Sequence, residues 1–300
     1  TKIGSWLGLS RPPFHTLGLL PFCLGTFLAW HLDRVFSLSV FVLGCTGIVM
    51  VMVSTHYVAD FFRHAEEERR RHLFGNIFSR KSDTFFDLVF RRPGPLRIGV
   101  TSMAAALLIG ICMQFGLRTG PFTLLLGCLG AVPGCVYALR PTRMFDNGYG
   151  EMVIAACYGW TPIAAAFYIQ TGYVSCCVQS MALPIALSIF NVILLNEFPG
   201  YLSSAAGSGM NLLRKLGKAK GSALFVLVSL LSWLAMYVSL NAGIPRKALY
   251  IYLPVMVLSA AVSLMLAGRR YENPLVLEIL CGLNIAVHLG TMASYFLAFL

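Results

Sequence analysis

Apolar residues in this chain fall in long blocks, not at alternating or heptad spacing, and short polar connections separate the blocks. Nine of them approach the roughly 20 residues that a helix needs to cross the hydrocarbon of a bilayer. They lie at about 13–32, 36–62, 97–116, 121–139, 151–169, 178–196, 222–241, 248–267 and 275–298. Each is expected to be helical, because a segment in hydrocarbon must bond every backbone N–H and C=O internally. The pattern predicts an all-α, polytopic membrane protein of nine spans, with one domain covering 1–300. The first block is too long for a signal peptide and has no small-residue cleavage site before a soluble domain, so it is expected to remain in the mature protein.

Composition agrees: 57% of the residues are hydrophobic and 12% charged, far from the balance of a soluble domain. The net charge of +11 first suggests nucleic acid, but its distribution argues against that. Lys2, Arg11, nine basic residues from Arg63 to Arg97, Arg140, Arg143, Arg214, Lys215, Lys218, Lys220, Arg269 and Arg270 all fall on one side of a nine-span topology. Only Arg34, Arg118, Arg246 and Lys247 fall on the other. Basic loops stay in the cytoplasm. The N-terminus and the loops at 63–96 and 197–221 are therefore expected there, with membrane lipids and not nucleic acid as the partner of the positive charge. A bacterial or archaeal plasma membrane is the expected location. The nine cysteines are scattered, mostly within spans, without zinc-type spacing.

The two long cytoplasmic loops carry most of the polar detail. In the first, Glu66-Glu67-Glu68-Arg69-Arg70-Arg71 continues the helical register of the second span beyond the membrane surface. Phe85, Phe86, Leu88, Val89 and Phe90 follow as an apolar cluster suited to an interfacial helix, and Gly94-Pro95 ends it before the third span. In the second loop, a Gly- and Ser-rich stretch leads into Leu212-Leu213-Arg214-Lys215-Leu216-Gly217, which reads as a turn and a short amphipathic helix.

Ionisable residues inside spans are costly and mark candidate sites. His56, Asp60, His64 and Glu67 recur along one face at the end of the second span, where imidazole and carboxylate together suit zinc, iron or manganese. Pairing of Asp60 with Arg63 or His64 is the alternative. The sixth span ends in Asn191, Asn196 and Glu197, and could meet the second in one cavity. Glu151 opens the fifth span, where capping the helix N-terminus is the simpler account. Asn284 and His288 share a face of the ninth span, as an interhelical hydrogen bond would need. Gly127, Gly130 and Gly134 would allow close helix contact.

Several stretches resemble the UbiA superfamily of intramembrane prenyltransferases, in particular the branch that prenylates 1,4-dihydroxy-2-naphthoate. They are Arg11-Pro12 with Leu19-Leu20-Pro21-Phe22-Cys23-Leu24-Gly25, then Gly148-Tyr149-Gly150-Glu151, Tyr158-Gly159, and Phe167-Tyr168-Ile169-Gln170-Thr171-Gly172. Most specific is Leu194-Leu195-Asn196-Glu197-Phe198-Pro199, followed by Lys215-Leu216-Gly217. The resemblance implies a nine-helix bundle with a cytoplasm-facing cavity, capped by the loops after the second and sixth helices. It also implies aspartate motifs after those helices that bind Mg2+ and, through it, the diphosphate of an isoprenoid donor. An electron-rich aromatic or quinone-like acceptor then attacks the allylic carbon. The sequence departs from this pattern at the motifs. The first aligns as His56-xxx-Asp60-xxx-His64, and the aspartates of the second fall on Gly200 and Ser204.

Three readings follow. One is a prenyltransferase with Asp60, Asn196 and Glu197 at its catalytic centre, metal ligands drawn from Asp60, Glu197 and Glu67 or Glu68, and Tyr137, Arg140 and Arg143 holding substrate. The second is a transition-metal enzyme built on His56, Asp60, His64 and Glu67. The third is a noncatalytic protein that binds quinone or isoprenoid. A transporter is disfavoured, because no pair of Gly- or Pro-broken spans recurs in corresponding halves.

Overall fold

A computed structural model describes residues 12–74, 94–138, 149–199, 201 and 211–300, without the side chains of 12–14, 60, 62–74, 137 and 138. The described residues form helices and turns, with no strand among them. The long helices are α1 (Pro12–Asp33), α2 (Leu38–Phe74), α3 (Gly94–Ile111), α4 (Thr123–Ala138), α5 (Gly150–Thr171), α6 (Cys176–Asn196), α7 (Lys218–Ser239), α8 (Lys247–Ala267) and α9 (Pro274–Ala298). A π-helical turn, Cys112–Gly116, prolongs α3, and a separate turn of helix, Leu212–Leu216, precedes α7.

Eight of these helices are long and apolar enough to cross a membrane. The fourth expected span differs: α4 has only 16 residues within the described chain. It starts late because the hydroxyls of Thr119 and Thr123 bond each other at 2.8 Å around a turn at Gly120, whose φ of +120° suits glycine. The expected extension of the second span past the membrane surface is present, since α2 runs 37 residues to Phe74. The apolar cluster at 85–90 lies outside the described residues. Gly94 and Pro95 form the first turn of α3, where proline's missing N–H costs nothing.

Helix starts and stops follow local chemistry. The Ser175 side chain accepts from Val178 N–H to cap α6, and Asn273 accepts from the N–H groups of Leu275 and Val276 ahead of Pro274 at the start of α9. Gly172, at φ +86°, closes α5 in the left-handed conformation.

Two groups of helices share α5 and α6 as their common wall. In the apolar windows of these two, 61% and 67% of positions are buried, against 17% to 44% in the other membrane-length helices. Helices α6, α7, α8 and α9 pack in sequence, with α9 returning to α6, so they close a four-helix bundle. On the other side α1 packs on α5, α4 on α5 and α2, and α2 on α3. Since lipid is as apolar as the side chains, association rests on close packing. A Cβ on Gly25 of α1 would strike the Ile163 carbonyl of α5, and one on Gly159 of α5 would strike the backbone of Ala186 in α6. Two of the three glycines in α4 also serve contact: a Cβ on Gly130 would touch Thr161 at 3.5 Å and one on Gly134 would touch Thr55 at 3.0 Å. Gly127 meets nothing within 4 Å.

Candidate functional site

Contacts between neighbouring helices bring the candidate residues to one end of the molecule, here the polar end. Thr55 of α2 lies against Gly134 of α4, and Leu129 of α4 accepts a thiol hydrogen bond from Cys157 of α5 at 3.4 Å. With a rise of 1.5 Å per residue, Asp60 sits roughly 8 Å beyond Thr55 and Glu151 roughly 9 Å beyond Cys157. Gly134 itself lies five residues, roughly 8 Å, nearer the polar end of α4 than Leu129, so the backbone places Asp60 roughly one turn beyond Glu151. Glu197 also stands roughly one turn beyond Glu151, because Gly159 of α5 packs on Ala186 of the antiparallel α6.

Glu151 does not cap its own helix, contrary to the simpler sequence expectation. Tyr149 holds the cap position without a side-chain bond. The Glu151 carboxylate is 3% exposed and turns to a segment distant in sequence, accepting the Leu212 N–H on Oε1 at 3.0 Å. The next amide, Leu213 N–H, donates to Oε2 of Glu197 at 3.4 Å. Two carboxylates from α5 and α6 are thus held by successive amides of one turn. That turn is preorganised by Asn211, whose side chain accepts from Arg214 N–H at 2.9 Å. The Gly/Ser-to-basic pattern anticipated this short helix. It did not reveal the glutamates it would engage.

The other oxygen of Glu151, Oε2, is buried without a hydrogen-bond partner among the described residues. A buried carboxylate oxygen left unpaired is expensive, and the arrangement leaves one strong acceptor for a bound cation or donor. Nearby, the Lys218 ammonium at the start of α7 stands 5.3 Å from the Tyr201 ring centre and 5.9 Å from that of Tyr271. These cation–π contacts tie the start of α7 to the turn between α8 and α9.

On α2, the Nδ1 of His56 lies 2.7 Å from the Met52 carbonyl. A carbonyl only accepts, so Nδ1 carries the proton and a neutral ring has its lone pair on Nε2. The His15 ring of α1 stacks on it with centroids 5.8 Å apart. Sequence reasoning missed this second imidazole, because helical spacing relates residues only within a span. The side chains of Asp60, His64, Glu67 and Tyr137, and all of Arg140 and Arg143, lie outside the described residues, as do Gly200 and Ser204. Asn196 ends α6 and is exposed. Among the described residues, no three His, Cys, Asp or Glu side chains converge as a metal cluster.

No family model and no curated protein matches the sequence, but solved structures match its backbone. An apo UbiA homologue from Aeropyrum pernix K1 superposes with a TM-score of 0.67 at 14% identity, over 95% of this chain and 98% of that one. The chain has the UbiA fold. A digeranylgeranylglyceryl phosphate synthase also matches at a TM-score of 0.67, with 13% identity over 99% of this chain and 98% of that one. The UbiA fold thus spans practically the whole chain, while the low identity leaves the chemistry to be argued from this chain's own side chains.

Proposed function

We propose that this protein is a UbiA-like intramembrane prenyltransferase that moves an isoprenoid from a polyprenyl diphosphate to an aromatic or other lipid-soluble acceptor. The polar end faces the cytoplasm in this reading, with the N-terminus on the same side. The observation that carries the proposal is the pair of glutamates, Glu151 and Glu197, clamped by successive amides at the end of a UbiA-fold bundle. The second aspartate motif is missing from the sequence after α6, and this pair stands at the same end of the molecule.

The donor set fits Mg2+. This cation is commonly held by one or two carboxylates together with substrate phosphates, and Glu151 keeps a buried oxygen that no donor among the described residues uses. Glu151, Glu197 and Asp60 would hold the ion. When bound, Mg2+ supplies neutralisation of the negative charge on the diphosphate leaving group.

The chain's own residues do the remainder. The amides of Leu212 and Leu213 fix the orientation of two carboxylates, so their geometry is set before substrate arrives. Lys218, held against Tyr201 and Tyr271, anchors the segment that carries those amides. Leu194, Leu195, Phe198, Leu213 and Phe225 pack in one buried apolar cluster next in sequence to Glu197 and the Leu212 amide, which closes the wall behind the two carboxylates to water.

The test uses the full chain in lipid nanodiscs with Mg2+, polyprenyl diphosphates of several lengths and an aromatic acceptor. Release of diphosphate with formation of prenylated acceptor is expected, and Asp60→Ala should reduce it by about 100-fold or more. Absence of turnover at every chain length would sink the reading.

A further inference from the structure

The four-helix bundle α6–α9 contains a second polar region, separate from the glutamates. On α9, Nδ1 of His288 is 2.8 Å from Oγ of Ser188 on α6. Ser188 already donates its hydroxyl proton to the Ile185 carbonyl at 2.7 Å. It therefore accepts from His288 Nδ1–H, which leaves Nε2 as a bare acceptor. One and a half to two turns nearer the polar end, the Cys281 thiol of α9 donates to the Leu195 carbonyl of α6. This antiparallel register sets Asn191 opposite the 284–285 step, beside Asn284.

The same layer continues around the bundle. Asn191 Nδ2 donates to Oγ of Ser229 on α7 at 2.9 Å. Trp233 of α7 donates to Ser259 of α8 at 3.3 Å, and the antiparallel register of that pair sets Ser229 level with Ser263. One polar residue from each helix, namely Asn191, Ser229, Ser263 and Asn284, therefore occupies one depth, with His288 a turn deeper.

These side chains are buried: Asn191 is 4% exposed, Ser263 5%, Asn284 4% and His288 0%. Each has an atom without a hydrogen-bond partner among the described residues, namely Asn191 Oδ1, Ser263 Oγ, Asn284 Nδ2 and His288 Nε2. The unmet groups are complementary in kind. Asn284 offers a donor, Asn191 and His288 offer acceptors, and the Ser263 hydroxyl can be either. A contrast lies about three turns further from the polar end, where Ser239 donates to the Met236 carbonyl and lies 3.0 Å from the Tyr295 hydroxyl. That pair of hydroxyls is satisfied within the protein.

Apolar clusters seal the layer on both sides. Leu194, Leu195, Phe225, Val262, Leu266 and Leu280 separate it from the polar end. Met181, Ile185, Met236, Met292 and Tyr295 lie on the other side. Lipid offers no hydrogen bonds, and four orphaned groups in one layer would each cost free energy.

We infer that this layer is an internal-water site: ordered water, sealed within α6–α9, bridges Asn191 Oδ1, Ser263 Oγ, Asn284 Nδ2 and His288 Nε2. Water supplies both donors and acceptors, as this mixed set requires, and buried water commonly makes about three hydrogen bonds to such groups. The inference concerns a region apart from the proposed active site and stands whether or not prenyl transfer occurs.

The sign of a stability change tests it. If water joins the four groups, Asn284→Leu strips that network of a partner and lowers Tm by about 3 °C or more. If the layer is dry, the same substitution removes an orphaned amide and raises Tm, which overturns the inference. A high-resolution map of the full wild-type chain decides independently, should the variant not fold. Compact density within hydrogen-bond distance of both Asn284 Nδ2 and His288 Nε2 is expected. An empty layer, direct closure among the side chains, or density too large for water overturns it.

Discussion

At the end of the molecule opposite the glutamates, polar side chains are spent on closing turns. Gln170 of α5 accepts from Ser37 N–H at 2.8 Å and donates to the Ser37 carbonyl at 3.2 Å. The Tyr168 hydroxyl accepts from Phe122 N–H, and Gln114 Oε1 accepts from Leu124 N–H. Each bond satisfies a backbone group in a short connection or in the first turn of the helix that follows one. At the polar end, the direction of service reverses. Backbone amides of a short turn are spent on positioning two carboxylates, and one buried carboxylate oxygen is left over. The first arrangement fastens a fold. The second holds reactive groups in place with binding capacity in reserve.

The sharpest way to break this contrast is at Glu151. Glu151→Gln keeps an oxygen that can accept from Leu212 N–H but removes the charge. Its stability should stay within about 1 kcal/mol of the parent, while transferase activity falls on the order of 100- to 1000-fold, the usual cost of losing one group that stabilises charge in a transition state. Glu151→Ala should lose activity to the same degree and stability besides, because Leu212 N–H is then left without its acceptor. Thermal melts beside turnover assays separate the two effects. Equal activity in wild type and Glu151→Gln would remove the carboxylate from the mechanism.

Gln170→Ala at the opposite end is expected to do the reverse. It leaves both backbone groups of Ser37 without their side-chain partner, a loss of about 1–2 kcal/mol, and should leave kcat unchanged in membranes where the protein remains folded. If its kcat dropped as far as that of Glu151→Gln, the two ends would not divide their labour in this way.

How far the sequence anticipated these features depends on the range over which each is determined. Eight of the nine expected spans were legible because hydrocarbon imposes a local rule, about 20 apolar residues per crossing. The turn of helix at Leu212–Leu216 was legible too, since an asparagine cap and a Leu-Leu-Arg-Lys-Leu pattern act within five residues. The partner of Glu151 was not, because its amide lies 61 positions away and only the packing of α5 on α6 joins the two. The expectation for Asn284 and His288 was half met. His288 does bond across to another helix, whereas the amide of Asn284 faces a layer that only the mutual register of four helices defines. The His15–His56 stack likewise depends on how α1 lies on α2.

The smallest expected effect is at Tyr173, in the connection between α5 and α6. Its hydroxyl donates to Asp33 Oδ2 at 2.9 Å, and that hydrogen bond, aided by slight desolvation and the negative charge of Asp33, raises the phenol above its ordinary pKa. The folded protein therefore holds this proton to higher pH than the unfolded chain does. The contribution is fully present below the ordinary tyrosine value near 10 and is lost as pH rises through the raised folded value. Tyr173 is exposed, so solvent screens the pair and its worth at neutral pH is small. Tyr173→Phe should shift stability by no more than about 0.5 kcal/mol at pH 7 and make the melt slightly less sensitive to pH above 10. A loss at pH 7 as large as that of Gln170→Ala would show that this exposed bond, like the half-buried one at Ser37, helps to fasten the closed end.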